Sequence, residues 1–246
     1  NDQTAKLYTD MGLLTCSDSI GEDATAVFNM LSGYSEPKKW NKLAVAPIWL
    51  KDKFLMLINR EAENARQGKK GRIVAKMNSL CDPVIMHALY DASAAGVKID
   101  LIVRGICCIK AGVPGLSENI KVRSIVGNYL EHSRIFYFYN DGFEDIYMGS
   151  ADWMPRNLDK RVEITFPVED PKLKSKIKDI LKIQLADTLK AHIMQPDGSY
   201  AKQDLRGKEK LDSQMYFVKK ASEGHEPVKS AENSRVFIPV ESSGEK

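Results

Sequence analysis

The chain has 246 residues, of which 43% are hydrophobic and 28% charged, so it can bury one large core or two smaller ones. A formal net charge of +3 is too small to predict nucleic-acid or polyanion binding from charge alone. No apolar run of about 18 residues indicates a transmembrane helix, and the four cysteines lack the spacing of a zinc site or a disulfide framework, which favours a reducing cytoplasm.

Strands and helices alternate in the first part of the chain. Apolar periodicity and turn residues predict a helix at 21–31, a strand at 43–48, a helix from 54 to 68, a strand at 72–78, a helix from 82 to 96 and a strand at 98–103. The Asp82-Pro83 pair is typical of a helix start, because an N-cap acceptor is followed by a proline at the first helical position. The alternation predicts a parallel α/β sheet.

The second part of the chain begins with a hairpin signal at Asn140-Asp141-Gly142. The predicted elements are hairpin strands at 134–140 and 145–149, a buried strand at 161–168, a long helix from 170 to about 191, and a helix at about 208–222. The last twenty or so residues are rich in Ser, Glu and Lys, which predicts a mobile polar tail. Residues 1–4 contain no Met and do not resemble a signal peptide, so we expect the chain to be part of a longer protein.

Several predicted strand ends carry side chains suited to binding an anion. These residues are Lys76, Asn78, Arg104, His132, Arg134 and Ser150. His132 and Arg134 are two residues apart, so a strand would place both on one face. Ligands of open α/β sheets collect beyond the carboxyl ends of the strands, and guanidinium groups match phosphate oxygens. The set therefore predicts a phosphate site, with Asp152, Arg156 and Asn157 as a nearby polar cluster.

Each of these residues also has a purely structural interpretation. Lys76 alone is more often a surface charge, whereas Arg104 follows an apolar strand and needs a partner if it is buried. His132 alone is more often a structural histidine, and His87, His192 and His225 are expected to be structural or solvated. The chain has neither a G-x-x-x-x-G-K-[ST] nor a G-x-G-x-x-G motif, so neither a P-loop nor a Rossmann nucleotide site is indicated.

Five sequence blocks in order carry a resemblance to a known family. They are TAKLYTD (4–10), KMNSLCD (76–82), LIVRG (101–105), SIVGNYLEHSR (124–134) and GSADWMPRN (149–157). Over about residues 1–193 the chain resembles the carboxy-terminal part of bacterial polyphosphate kinase, a family related to the phospholipase D superfamily. The resemblance implies an α/β fold with a phospholipase D-like mixed sheet flanked by helices and a helical, polar carboxy-terminal extension.

The resemblance also implies a division of the chain and a location. Residues 1–40 would be the end of a preceding phospholipase D-like domain with a connecting helix. Residues 41–193 would be the second phospholipase D-like catalytic domain, and 194–246 a carboxy-terminal helix and polar tail. The implied location is cytoplasmic, with peripheral attachment to the inner membrane as an alternative.

The implied activity is the reversible transfer of the terminal phosphate of ATP to inorganic polyphosphate through a phosphohistidine, with Mg²⁺. The histidine that is phosphorylated and the Mg²⁺ ligands would lie upstream, so the chain would contain no metal ligands and be inactive alone. The implied partners are ATP or ADP, inorganic polyphosphate, the preceding domains and further copies in a homo-oligomer, without nucleic acid.

The resemblance assigns roles to individual residues. Tyr8, Arg104 and His132 match the family's ATP-site residues, with His132 as the second histidine near the reacting phosphate. Relative to the wider phospholipase D pattern H-x-K-x4-D, Arg134 replaces Lys and Tyr139 replaces Asp. The sequence leaves the carboxylate partner of His132 open among Glu131, Asp152 and Glu163.

Two other functions stay open at this point. One is a phospholipase D-like phosphodiesterase that pairs two copies of the chain, which the tyrosine in place of Asp disfavours. The other is a non-catalytic polyanion-binding module.

Overall fold

The computed structural model describes residues 2–33, 35, 37–207 and 209–223. The predicted polar tail and His225 lie outside these residues. Seven helices are found in the described part: α1 (Asp2–Ala5), α2 (Asp18–Leu31), α3 (Leu50–Arg66), α4 (Pro83–Ala94), α5 (Pro155–Asp159), α6 (Pro171–Leu185) and α7 (Ser213–Glu223). None of these helices is long and apolar enough to cross a membrane.

The strands of the described residues form one large sheet and one small one. They are β1 (Tyr8–Thr9), β2 (Ala44–Ala46), β3 (Arg72–Met77), β4 (Lys98–Val103), β5 (Ile120–Ile125), β6 (Leu130–Glu131), β7 (Arg134–Phe138), β8 (Asp145–Gly149), β9 (Glu163–Pro167), β10 (Ala191–Met194) and β11 (Tyr200–Lys202). The nine-stranded sheet has the order β11-β10-β5-β4-β3-β7-β8-β9-β2, and β1 pairs with β6 in a separate parallel ribbon.

The large sheet is mixed, which confirms the expected class of a mixed sheet flanked by helices. Strands β3, β4 and β5 are parallel, whereas β7, β8 and β9 continue the sheet in antiparallel pairs. The predicted parallel sheet is wrong for β2, which pairs antiparallel with β9 at the far edge. The alternation of strand and helix predicts the individual elements but not which strands are adjacent in the sheet. In the structure β7 lies beside β3, on the side that β2 would need to occupy in a parallel sheet.

The chain after α6 also differs from the prediction. The helix predicted to reach residue 191 ends at Leu185, and residues 191–194 form β10, which pairs with β5. The buried carboxylate of Asp187 accepts the N–H groups of Lys190 and Ala191, so it turns the chain from the helix into the strand. The large sheet therefore continues through β10 and β11, past the predicted boundary at residue 193, and the three-part division of the chain stays a prediction.

Helices cover both faces of the sheet. On one face α3 and α4 pack on a cluster that includes Phe54, Phe136 and Trp153, whose rings are in mutual contact. On the other face Ile177 and Leu181 of α6 pack on the opposite side of β3, β4 and β7. The two layers bury most strand residues, including Met77 and Val103 at the carboxyl ends of β3 and β4. Ligands of such sheets bind just beyond those ends.

Candidate active site at the strand ends

The predicted strand ends meet at one edge of the large sheet. Because β7 runs antiparallel to β3, Lys76 near the end of β3 pairs with Ile135 at the start of β7. Arg134 in turn pairs with Gly149, the last residue of β8. Arg104 follows β4, whose last residue pairs with the last residue of β3. The structure thus places Asn78, Arg104, Arg134 and Ser150 at this edge, which we call the carboxyl edge.

His132 lies between a carboxylate and a guanidinium. Its Nδ1 is 2.7 Å from Asp10 Oδ2, and its Nε2 is 3.0 Å from Arg134 Nη1. Arg134 Nη1 also donates to the main-chain oxygen of His132 at 2.7 Å. The neutral tautomer with hydrogen on Nδ1 satisfies both ring contacts, because Nδ1–H then donates to Asp10 and Nε2 accepts from Arg134.

The carboxylate partner of His132 is therefore Asp10, and all three sequence candidates are wrong. Glu131 contacts Gln184 and Lys76, Asp152 contacts Arg134, and Glu163 contacts Asn157. Asp10 was missed because it is 122 residues from His132 in the chain. One signal was available, since Asp10 follows Tyr8 by two residues, a spacing that puts both on one face of an extended segment.

The short pairing of β1 with β6 brings Tyr8 and Asp10 to the histidine. Leu130 N donates to Leu7 O at 2.7 Å and His132 N donates to Thr9 O at 2.9 Å. The Tyr8 ring packs edge-on against the His132 ring with centroids 5.2 Å apart. Burial acts to raise the pKa of Asp10, but hydrogen bonds from His132 and Met11 and the charges of His132 and Arg134 outweigh it, so the pKa is lowered.

A hydrogen-bonded chain links the guanidinium groups of the carboxyl edge. Arg134 Nε donates to Asp152 Oδ1 at 3.1 Å and Arg134 Nη2 donates to Asp152 Oδ2 at 3.3 Å. Asp152 Oδ1 also accepts the N–H of Asn78 at 2.8 Å, and Asn78 Oδ1 accepts from Arg104 Nε at 3.0 Å. The Asn78 Nδ2 group is buried without a hydrogen-bond partner among the described residues. The arrangement leaves a free amide donor beside half-buried Arg104.

Lys76 and Ser150, the other two predicted phosphate ligands, already form hydrogen bonds within the chain. Lys76 is buried, and its Nζ donates to the main-chain and hydroxyl oxygens of Ser133, both at 2.9 Å. Burial lowers the pKa of Lys76 and the nearby Glu131 carboxylate opposes that effect. Ser150 Oγ accepts the N–H of Ile164 at 3.1 Å and lines the adjacent cleft. Phosphate binding by Lys76 and Ser150 stays a prediction.

A cleft of about 850 Å³ opens beside His132. Its charged lining consists of Asp10, His132, Arg134, Asp152, Arg156, Arg161 and Glu163. Among the described residues, the exposed side chains of Arg156 and Arg161 have neither an ion pair nor a hydrogen bond. The cleft therefore places His132, which is held between Asp10 and Arg134, near guanidinium groups that are free to bind an anion. The same residues hold no group of three or more His, Cys, Asp or Glu side chains able to bind a metal ion.

These features define a mixed α/β domain with a histidine–arginine site at the carboxyl ends of its strands. Residues 43–214 match the family described as Polyphosphate kinase C-terminal domain 2, and residues 1–37 match Polyphosphate kinase C-terminal domain 1. The chain belongs to the polyphosphate kinase family, as the sequence blocks indicated.

Individual relatives agree with this assignment. The chain is 58% identical over 200 residues to a polyphosphate kinase of Synechocystis sp., covering 81% of the chain and 28% of that protein. It is 48% identical over 244 residues to a polyphosphate kinase of Lactiplantibacillus plantarum, covering 98% and 34%. The crystal structure of polyphosphate kinase from Porphyromonas gingivalis superposes with a TM-score of 0.80 at 40% identity, covering 85% of the chain and 33% of that protein. The chain thus spans about a third of the length of these relatives.

Proposed function

We propose that the chain is the carboxy-terminal catalytic part of an enzyme that reversibly transfers the terminal phosphate of ATP to inorganic polyphosphate. The observation that carries the proposal is the placement of His132 between Asp10 and Arg134 in the lining of the cleft that also contains Arg156 and Arg161. The relatives named as polyphosphate kinases supply the reaction class.

The proposed reaction has two transfers. In the first, the bond between the γ-phosphorus of ATP and the β,γ-bridging oxygen breaks, and a P–N bond forms on a histidine upstream of this chain. In the second, that P–N bond breaks and a P–O bond forms to the terminal oxygen of polyphosphate. Phosphoryl transfer depends chiefly on positioning and on neutralising oxygen charge. The chain supplies these two effects.

Each side chain of the carboxyl edge has a role in this proposal. Arg134 Nη1 exchanges its contact with His132 Nε2 for a phosphate oxygen, which leaves Nε2 free to exchange a proton with the reacting phosphate. Asp10 holds the ring orientation through Nδ1. Arg104 and the free Asn78 amide bind phosphate oxygens, and Tyr8 packs against the nucleotide.

Cofactor, assembly and location are proposed on the resemblance alone. We propose that Mg²⁺ neutralises the ATP phosphates when bound and that its ligands lie upstream of this chain. A homo-oligomer and a cytoplasmic location, with peripheral attachment to the inner membrane as an alternative, are proposed on the same basis.

The test replaces His132 by Ala in the full-length enzyme and measures polyphosphate synthesis from ATP. We expect a loss of about a thousandfold or more in kcat, because the variant removes the group beside the reacting phosphate. His87→Ala is the matched control, since His87 is exposed on α4 and does not line the cleft. Normal turnover by His132→Ala would show that the proposed role is wrong.

A second measurement separates this function from the alternatives. The isolated chain is expected to form no phosphohistidine from ATP and to cleave no generic phosphodiester. Cleavage of bis(p-nitrophenyl) phosphate by the chain alone would favour a phosphodiesterase. Unchanged full-length activity of His132→Ala together with salt-dependent polyphosphate binding would favour a binding module.

A further inference from the structure

The helix α7 contacts the segment that carries His132. Gln214, the second residue of α7, is buried, and its amide faces the main chain of Tyr129. Gln214 Oε1 accepts the Tyr129 N–H at 3.0 Å, and Gln214 Nε2 donates to the Tyr129 carbonyl oxygen at 2.8 Å. One side-chain amide thus satisfies both backbone polar groups of a single residue, so it fixes the position of that residue.

The Gln214 side chain also lies close to the backbone of Gly127. A Cβ atom built there would lie 2.4 Å from Gln214 Oε1, which is far shorter than any real Cβ contact. Any larger residue would therefore push the Gln214 amide away from Tyr129. Glycine is needed at position 127 because the Gln214 side chain approaches the backbone there, and not because of a turn.

The start of α7 is itself fixed by a buried carboxylate. Asp187 Oδ2 accepts both the N–H and the hydroxyl of Ser213 at 2.7 Å, while its Oδ1 accepts the N–H groups of Lys190 and Ala191 at 2.8 and 3.0 Å. Hydrogen bonds to a charged acceptor are among the stronger ones in proteins. The position of Gln214 is therefore set by the connection between α6 and β10.

The residues on either side of His132 are held by other buried groups. Glu131 Oε2 accepts from Gln184 Nε2 at 2.8 Å and lies 3.5 Å from Lys76 Nζ, and Glu131 Oε1 lies 3.4 Å from Gln214 Nε2. Lys76 Nζ also donates to Ser133. The backbone of His132 is consequently fixed before and after the imidazole by side chains from α6, α7 and β3.

We propose that Gln214 is a positioning residue for His132, acting through Tyr129 and Glu131 on the phosphoryl-transfer step. The inference rests on the proposed function of His132. Gln214 holds the main chain that aims the imidazole, and an ångström-scale displacement of a reacting group costs a large factor in rate. Helix α7 thus supports the position of His132, although its sequence lies in the predicted helical, polar carboxy-terminal extension.

The first experiment is Gln214→Met in the full-length enzyme. Methionine keeps the length and the apolar packing of the side chain but offers no amide to Tyr129. We expect kcat for polyphosphate synthesis to fall roughly tenfold to a hundredfold, with KM for ATP changed by less than about twofold. Lys220→Ala is the matched control, because Lys220 is exposed on the same helix. A loss that appeared only in KM, or no loss in kcat, would overturn the proposal.

Amide hydrogen exchange tests the contact without relying on activity. We expect the Tyr129 amide to exchange faster in Gln214→Met and at the wild-type rate in Lys220→Ala. A wild-type exchange rate at Tyr129 in Gln214→Met would overturn the contact.

Gly127→Ala provides a second variant, which displaces the Gln214 amide from the Tyr129 side of the contact, and it should reproduce the loss of kcat. An inactive wild-type enzyme would refute the proposed function of the site, whereas the exchange result would still decide whether Gln214 holds Tyr129.

Discussion

The two ends of the central strands both carry arginine, but the arginines are partnered differently. At the amino end of β3, Arg72 pairs with Asp100 of β4, and Arg60 of α3 pairs with Asp145 of β8. At the carboxyl edge Arg134 pairs with Asp152, whereas Arg104, Arg156 and Arg161 have no carboxylate partner among the described residues. A guanidinium that faces a carboxylate holds two elements together, and one that faces none is free for an anion.

The amino end also contains a buried carboxylate that accepts two backbone N–H groups. Glu61 of α3 accepts the N–H of Arg72 at 3.2 Å and the N–H of Asn140 at 2.8 Å. Its hydrogen bonds tie α3 to the start of β3 and the end of β7. The comparison therefore separates a structural edge, where Arg60 and Arg72 both pair with carboxylates, from the carboxyl edge, where three of the four arginines have no carboxylate partner among the described residues.

Among the variants that test this comparison, the largest effect is expected for Arg104→Ala, which removes a guanidinium without a carboxylate partner among the described residues. We expect kcat/KM for polyphosphate synthesis to fall about a hundredfold or more, because the phosphate charge loses one neutralising group. The lost hydrogen bond to Asn78 should lower the free energy of unfolding by about 0.5–1.5 kcal/mol. Arg72→Ala is the matched control at the structural edge and should lower stability while leaving turnover normal. Equal losses of activity in both variants would remove the distinction between the edges.

A smaller effect is expected for Asp10→Asn, measured as kcat at neutral pH and as stability over a range of pH. The amide can still accept from His132 Nδ1–H but carries no charge, so we expect a loss of roughly tenfold. Because the folded pKa of Asp10 is lowered, its stabilising contribution is present at pH values above the ordinary pKa and is lost as pH falls through the folded pKa. The difference in the free energy of unfolding between wild type and variant should therefore stay constant near neutral pH and shrink only in acid. A stability difference that changed around neutral pH in urea unfolding would contradict the assignment.

The smallest expected effect on activity belongs to Glu61→Gln, which should leave turnover unchanged. One of the two backbone donors would then face an amide NH₂, which should lower the free energy of unfolding by about 1–3 kcal/mol near neutral pH. Burial, the largest influence, raises the pKa of Glu61 in spite of hydrogen bonds from Arg72, Asn140 and Arg60. Because the folded pKa is raised, the wild type loses stability as pH rises from the ordinary pKa through the folded one. Urea unfolding at several pH values should show this fall in the wild type and not in the variant.

Local signals in the sequence were sufficient for the elements that build the carboxyl edge. Asp82 caps α4 by accepting the N–H of Ile85, as its position before a proline predicts. The apolar run at 98–103 is β4. These predictions succeeded because caps and apolar periodicity act within a few residues.

The failures involve contacts between distant segments. The pairing of β10 with β5 was missed because the helix was predicted to continue to about residue 191, past Asp187, whose carboxylate turns the chain into the strand. The burial of Lys76 could not be read from its own strand, since it depends on Ser133 and Glu131, more than fifty residues away. Asp10 was missed for the same reason, because no local sequence pattern indicates which distant carboxylate will contact a histidine.

The contacts of the carboxyl edge also differ in how far apart their partners are in the chain. Arg134 and Asp152 are 18 residues apart and Asn78 and Arg104 are 26 apart, whereas Asp10 and His132 are 122 apart. Closing the longest of these loops costs about 2 kcal/mol more chain entropy than closing the shortest. Contacts between distant residues tend to form late in folding. During refolding we therefore expect the arginine network to assemble with its sheet first, and the histidine to acquire its carboxylate in the last step.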